Sequence, residues 1–259
     1  MSYLDELYSL EGKTAVVIGG GGVLAGIMAE GLAKAGANVV ILDLNLENAR
    51  KKADELKKYD VNTSAIKIDA SSKTDLENAA EEITKEYGGV NIIINAPGIN
   101  SATPFLEISE EEYEKIMNVN LKSIYLSCQI FGKQLIEQGE GGSIINISSA
   151  SSGPPLSKVF TYSLSKAGVN SITQYLSKEW AAHNIRVNAI APGFFPAEQN
   201  RKILTKERIA SIFNHTPMNR FGDPEELIGA TIWLASEKAS SFVTGAVIRV
   251  DGGYTAMTI

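Results

Sequence analysis

An alternation along the chain limits its possible folds more than any other feature. Short apolar runs rich in β-branched residues recur at Thr14–Ile18, Asn38–Leu42, Ser64–Ile68, Val90–Ile94, Ser143–Ile147, Arg186–Ile190 and Ala246–Val250, and each reads as a strand. Between them lie stretches of helical period: Val23–Ala35, Glu47–Lys58, Lys73–Glu86, Ser109–Gln138 as one broken or two linked helices, Phe160–Ala182, and a helical pair between Glu198 and Ser236. Strands joined by helix-length segments pair in parallel, and strands apolar on both sides need cover on both faces. The expected fold class is therefore α/β, a Rossmann-like doubly wound parallel sheet with helices on both faces, formed as a single domain over residues 1–259. One region breaks the rhythm. Gly193–Thr216 is a long insertion carrying Pro196, Arg201, Lys202, Arg208 and His215, and such insertions form lids or binding loops.

Charge and cysteine usage narrow the partners. A net charge of −6 argues against nucleic acid or an anionic membrane, since both reward basic surfaces, and leaves a small molecule as the expected ligand. Cys128 is the only cysteine and sits in the apolar run Ile124–Phe131, where a buried, inert thiol is expected. The acidic start Met1–Leu7 has no long apolar run, so neither a signal peptide nor a membrane span is expected, and the cytoplasm is the default compartment. His183 and His215 are the only histidines and stand in no ligand-spaced cluster, so no metal is expected.

A glycine-rich loop, Gly19–Gly22 with Gly26 beyond it, joins the first strand to its helix. Glycines there permit a tight turn and let the backbone approach a pyrophosphate resting at the helix N-terminus; Gly19, Gly21 and Gly22 are the expected contacts. About ~20 residues on, at the end of the second strand, Asp43 supplies the acidic residue of a dinucleotide-binding fingerprint. Its carboxylate suits a ribose diol and repels a 2′-phosphate, favouring NAD over NADP; a plain helix cap is the alternative. Asp69 closes the third strand and is read either as an adenine contact or as a cap.

Tyr162 and Lys166 stand four residues apart, on one face of a helix, with Ser149 thirteen residues upstream. An ammonium beside a phenol favours the phenolate, so the pair is a candidate acid/base with a lowered tyrosine pKa, and Ser149 is placed to hold a substrate oxygen. Taken alone, the spacing also describes an amphipathic helix with an exposed lysine.

Together, Tyr162-x-x-x-Lys166, Ser149, Asn120 in Asn-Val-Asn-Leu-Lys, Asn95-Ala-Pro-Gly98, Arg186–Gly193 and Asp251-Gly-Gly253 resemble the short-chain dehydrogenases/reductases, in order and spacing, from about Leu10 to Tyr254. The resemblance implies a catalytic set of Tyr162 as general acid/base, Lys166 as its partner and a ribose ligand, Ser149 as orienter of the reacting oxygen, and Asn120 as holder of a proton-relay water. It implies cofactor contacts at Val23 and Leu24 beside the glycines, at Ala70 beside Asp69, and at Ala96 and Pro97 above a structural Asn95. Pro192, Gly193 and Phe195 are implied along the nicotinamide.

Three departures from the family pattern stand out. Ile18 replaces the usual threonine, and Val23 and Ala25 occupy glycine positions while glycine moves to 21, 22 and 26. Asn-Ala-Pro-Gly replaces Asn-Asn-Ala-Gly, and Pro196-Ala197 stands where a threonine is common.

Within the family, the glycine loop, the segment Phe194–Arg201 and the tail Ala256–Ile259 are most similar to D-mannonate oxidoreductases, also called fructuronate reductases. That similarity implies a sugar acid or polyol substrate, with Arg201 or Lys202 on the carboxylate and Asn100, Ser151 and Gln199 on hydroxyls; a solvated surface charge is the alternative for Arg201. The rival functions are a 3-oxoacyl thioester reductase and a non-catalytic dinucleotide-binding regulator. Relatives of this kind pair through the two long helices and the last strand, implying a homodimer or homotetramer.

Overall fold

The computed structural model describes residues 2–196 and 205–256. Seven strands form one parallel sheet: β1 (Thr14–Ile18), β2 (Asn38–Asp43), β3 (Thr63–Lys67), β4 (Ile92–Asn95), β5 (Gly142–Ile147), β6 (Ile185–Pro192) and β7 (Val247–Val250), in the spatial order β3-β2-β1-β4-β5-β6-β7. The order reverses between β1 and β4, the crevice where open α/β sheets bind ligands. Register brings the carboxyl ends level across that crevice: Ile18 faces Leu42 on one side and Asn95 on the other, and Asn95 faces Asn146.

Alternation along each strand splits the core into two layers. Ala15 and Val17 of β1 join Met28 and Leu32 of α2 (Val23–Lys34) on one face, while Val16 and Ile18 join the other, with Ile83 of α4 (Lys73–Tyr87) and Phe131 of α6 (Ser123–Gln138). The first layer also takes Ala53 of α3 (Leu46–Leu56) and Leu234 of α9 (Ile228–Ala235); the second takes Val169 of α7 (Phe160–Trp180). Helix spacing depends on small residues: a Cβ on Gly132 of α6 would lie 2.3 Å from the Trp180 ring of α7.

The segment expected as one broken or two linked helices is α5 (Glu110–Met117), a π turn at Asn118–Lys122, and α6. The π turn interrupts the regular hydrogen-bond ladder at Asn120. Of the expected helical pair, the described parts are α8 (Lys206–Asn214) and α9, with α10 (Glu237–Ser240) after them. A short N-terminal helix α1 (Tyr3–Tyr8) was not expected; it buries no residue and is held by a capping box from Ser2 and Asp5.

Candidate active site

Helix α7 carries Tyr162 and Lys166 one turn apart along the wall of a cleft over the strand ends. Lys166 is buried, and its ammonium donates at 2.7 Å to the carbonyl of Ile147, the last residue of β5. It lies 5.8 Å from the Tyr162 ring centroid. Burial pushes the Lys166 ammonium down to about 8. The expected lowering of Tyr162 is not found: burial raises its phenol above the ordinary tyrosine value, and the Ser149 hydroxyl pulls it only part of the way back. The Lys166 ammonium points at a backbone carbonyl, and burial of the phenol sets the direction of its shift.

A serine and asparagine network holds Ser149. The Ser149 Oγ accepts from the Ser151 amide at 3.2 Å and from the Ser151 hydroxyl at 3.1 Å, which fills its acceptor side and leaves its own proton to donate. Ser151 is itself buried in the middle of a 3₁₀ turn and lies off the cleft wall. Its hydroxyl proton goes to Ser149, which leaves only the oxygen's acceptor side for the substrate hydroxyl that the resemblance implies. Asn170, one further turn along the same face of α7, accepts from Ser148 Oγ at 2.6 Å and donates to Ser152 Oγ at 2.9 Å, clamping the loop on either side of Ser149.

Asn120 and Asn95 also turn inward. The Asn120 carboxamide accepts from the Ile99 amide at 2.8 Å and donates to the Ile99 carbonyl at 2.9 Å and to Ser165 Oγ at 3.1 Å, which fixes the loop after β4 to α7. Asn95 is fully buried, donating to Asn146 Oδ1 at 2.8 Å and accepting from Ser127 Oγ at 2.5 Å. It therefore sits beneath the cleft as a support and is not among the residues that line it. Beside it the buried Cys128 thiol is pushed up to about 12 by burial.

Two cavities that share Gly19, Gly22, Ala96, Gly98 and Ile99 make one continuous cleft, enclosing about 650 Å³ on the Tyr162 side and about 350 Å³ on the Asp43 side. Val23, Leu24, Pro192, Gly193, Phe195 and Asn100 line the first part; Gly21, Asp43, Asp69, Ala70 and Pro97 line the second. Gln199, Arg201, Lys202 and Ala197 lie outside the described residues.

The cleft fits a dinucleotide. No side chain caps α2 at Gly22, so the positive end of that helix opens into the cleft where a pyrophosphate is expected. Gly19 has φ +76°, and a Cβ on it would lie 3.1 Å from the Ala96 backbone. The Gly21 amide, in the lining of the cleft, donates at 3.0 Å to Asp43 Oδ2. Asp43 Oδ1 accepts from the Asn45 amide at 2.9 Å, which aims the carboxylate into the cleft. Capping of the next helices falls to Asn45 and Ser72, so the cap alternatives for Asp43 and Asp69 are not what the structure has.

With this geometry in place, comparison with known proteins is decisive. The family model described as enoyl-(acyl carrier protein) reductase matches residues 22–255. A curated relative, the 5-keto-D-gluconate 5-reductase of Escherichia coli (strain K12), is 34% identical over 251 residues, covering 96% of this chain and 98% of its own. The chain belongs to the short-chain dehydrogenase/reductase family.

It is accordingly an NAD(P)-dependent oxidoreductase acting on CH–OH groups. Among solved structures, a gluconate 5-dehydrogenase from Burkholderia cenocepacia J2315 in complex with NADP and tartrate superposes with a TM-score of 0.94 at 31% identity, over 99% of this chain and 100% of that one. A protein provisionally assigned as a D-mannonate oxidoreductase from Haemophilus influenza, with bound NAD, gives 0.93 at 34% identity, over 98% and 99%. Among the described residues no helix is long and apolar enough to cross a membrane.

Sequence reasoning missed several cleft residues. Gly98, Ile99, Leu156, Phe194 and Phe221 line the Tyr162 side, and Leu44, Asn48 and Ser123 the Asp43 side. Leu44 had a legible signal, being the first residue after the fingerprint acid. Leu156 and Phe221 lie in irregular segments whose path only the fold reveals.

Proposed function

We propose that this protein is an NAD-dependent oxidoreductase of sugar acids, interconverting a secondary alcohol and a ketone on a carboxylate-bearing carbon chain of the mannonate/fructuronate or ketogluconate type. One observation carries the reading: Tyr162, Lys166 and Ser149 share one wall of a cleft whose far end presents the Asp43 carboxylate. Asp43 would accept from a ribose diol and repel a 2′-phosphate, which supports NAD over NADP.

The uncapped start of α2 would hold the pyrophosphate and Lys166 a ribose hydroxyl. When bound, the dinucleotide accepts or supplies a hydride at its nicotinamide ring. The protein's own residues handle the proton. Ser149, held as a donor by Ser151, bonds the substrate oxygen, and Tyr162 gives that oxygen a proton in reduction or takes one in oxidation. The raised Tyr162 value favours the protonated phenol, the form ready to act as an acid toward a ketone. Positioned proton transfer of this kind contributes roughly 10²–10⁴-fold.

In keeping with this reading, the chain would work in the cytoplasm as a dimer or tetramer, through faces where Tyr125 of α6 and Tyr175 of α7 stand exposed. Light scattering tests the assembly, and a clean monomer contradicts it. The function is tested by following reduced-nicotinamide absorbance with NAD and NADP separately against sugar acids, neutral polyols and acetoacetyl thioesters. Turnover of a sugar acid with NAD is expected. Turnover confined to thioesters, or none at all, overturns the reading.

A further inference from the structure

Helix α8 turns a polar face toward the substrate side of the cleft. Arg208, Ser211 and His215 follow one another at the i, i+3, i+7 spacing of a single helix face, and all three line a cavity of about 640 Å³. Leu156 and Phe194 are walls of this cavity and of the Tyr162 side of the cleft at once, so the two spaces adjoin. A chain of rings backs the cavity: Phe194 packs edge-on against Tyr254 at 5.2 Å between centroids, and Tyr254 against His215 at 4.8 Å.

The electrostatics of this cavity differ from those of the whole molecule. With a formal charge of −6, the protein as a whole repels an acidic substrate, so recognition of a carboxylate needs a local cation. Among the described residues lining the cleft and this cavity, only Lys166 and Arg208 are lysine or arginine. Lys166 is buried and bonded to Ile147. Arg208 makes no ion pair with any described residue. Its neighbour Glu207 lines the same cavity, and hydrogen bonds from its own backbone amide and from Thr205 tie that carboxyl to the start of the helix and hold it below its usual range. Tyr254 and Arg208 line the same cavity, where burial raises the Tyr254 phenol and the Arg208 charge lowers it in part.

We propose that Arg208, with Ser211 and His215, forms the subsite that receives the carboxylate of the sugar-acid substrate, while the reacting carbon lies at Ser149 and Tyr162. A guanidinium presents two parallel N–H donors to a carboxylate, and Ser211 adds a hydroxyl on the same face. The assignment rests on the sugar-acid reading above, and it makes these residues specificity determinants.

The test is steady-state kinetics of the full chain on the best sugar acid of the panel, for wild type, Arg208→Gln and Arg208→Lys, at two ionic strengths. Loss of a charge-assisted hydrogen bond raises KM by about 10–100-fold in Arg208→Gln, with kcat held within about threefold. The wild-type KM rises with salt, the Arg208→Gln KM loses that rise, and Arg208→Lys keeps it. A wild type active on sugar acids whose Arg208→Gln variant retains its KM and its salt response overturns the subsite alone. A wild type that turns over only neutral polyols or thioesters overturns the sugar-acid reading and the subsite with it.

Discussion

The Lys166 ammonium lies 5.8 Å from the centroid of the Tyr162 ring, spending a hydrogen bond on Ile147 while burial draws its own pKa down to about 8. A lysine whose folded value lies below its unfolded value leaves the unfolded chain holding the extra proton between the two, so stability rises with pH across that window. Urea unfolding of cofactor-free protein is therefore expected to show wild type gaining on the order of 2 kcal/mol over Lys166→Met between about pH 8 and 10. Parallel pH–stability curves contradict this.

Ser151 fixes Ser149 as a donor, and Asn170 clamps the flanking loop. Ser151→Ala is expected to lower kcat by about 5–10-fold, the worth of one neutral hydrogen bond, with NADH affinity kept. Ser151→Thr, which restores a hydroxyl, recovers most of the rate. A rate unaffected by Ser151→Ala sinks the orienting role.

Asp43 governs the adenosine end. Replacing it with alanine removes the repulsion toward a 2′-phosphate and frees the Gly21 amide, so the ratio of kcat/KM for NADP over NAD should climb at least about tenfold. Initial rates with both cofactors decide it, an unchanged ratio being the adverse result.

Gly19 combines a left-handed φ of +76° with a close approach to Ala96. Gly19→Ala is expected to cost about 1–3 kcal/mol of stability and to weaken NADH binding, measured by urea unfolding and by nucleotide fluorescence titration. Wild-type values in both would show that the loop tolerates a side chain there.

The sheet was legible because its central strands are buried on both faces, giving continuous β-branched runs such as Val39–Leu42 and Ile92–Ile94 that no surface strand would carry. Helix α1 escaped notice because it is short, acidic and packs no residue into the core. The π turn at Asn120 was invisible because one extra residue leaves the apolar period of the flanking helices intact.

Within the site, the Tyr162/Lys166 pair was readable from helical spacing, whereas the direction of the tyrosine shift depended on burial, a property of the whole fold. The burial of Ser151 behind Ser149 was not legible, because neighbouring serines look alike until a 3₁₀ turn buries one of them. Arg208 and His215 acquire a common face only once the helix is known to start after Thr205.

The central claim is that Tyr162 carries the proton in a hydride-transfer reaction. Its most direct test pairs turnover of a sugar acid by Tyr162→Phe with NADH binding to the same variant by fluorescence titration. A fall in kcat of roughly 10²-fold or more with NADH affinity within about threefold of wild type is the predicted result. Turnover close to wild type in Tyr162→Phe would contradict it.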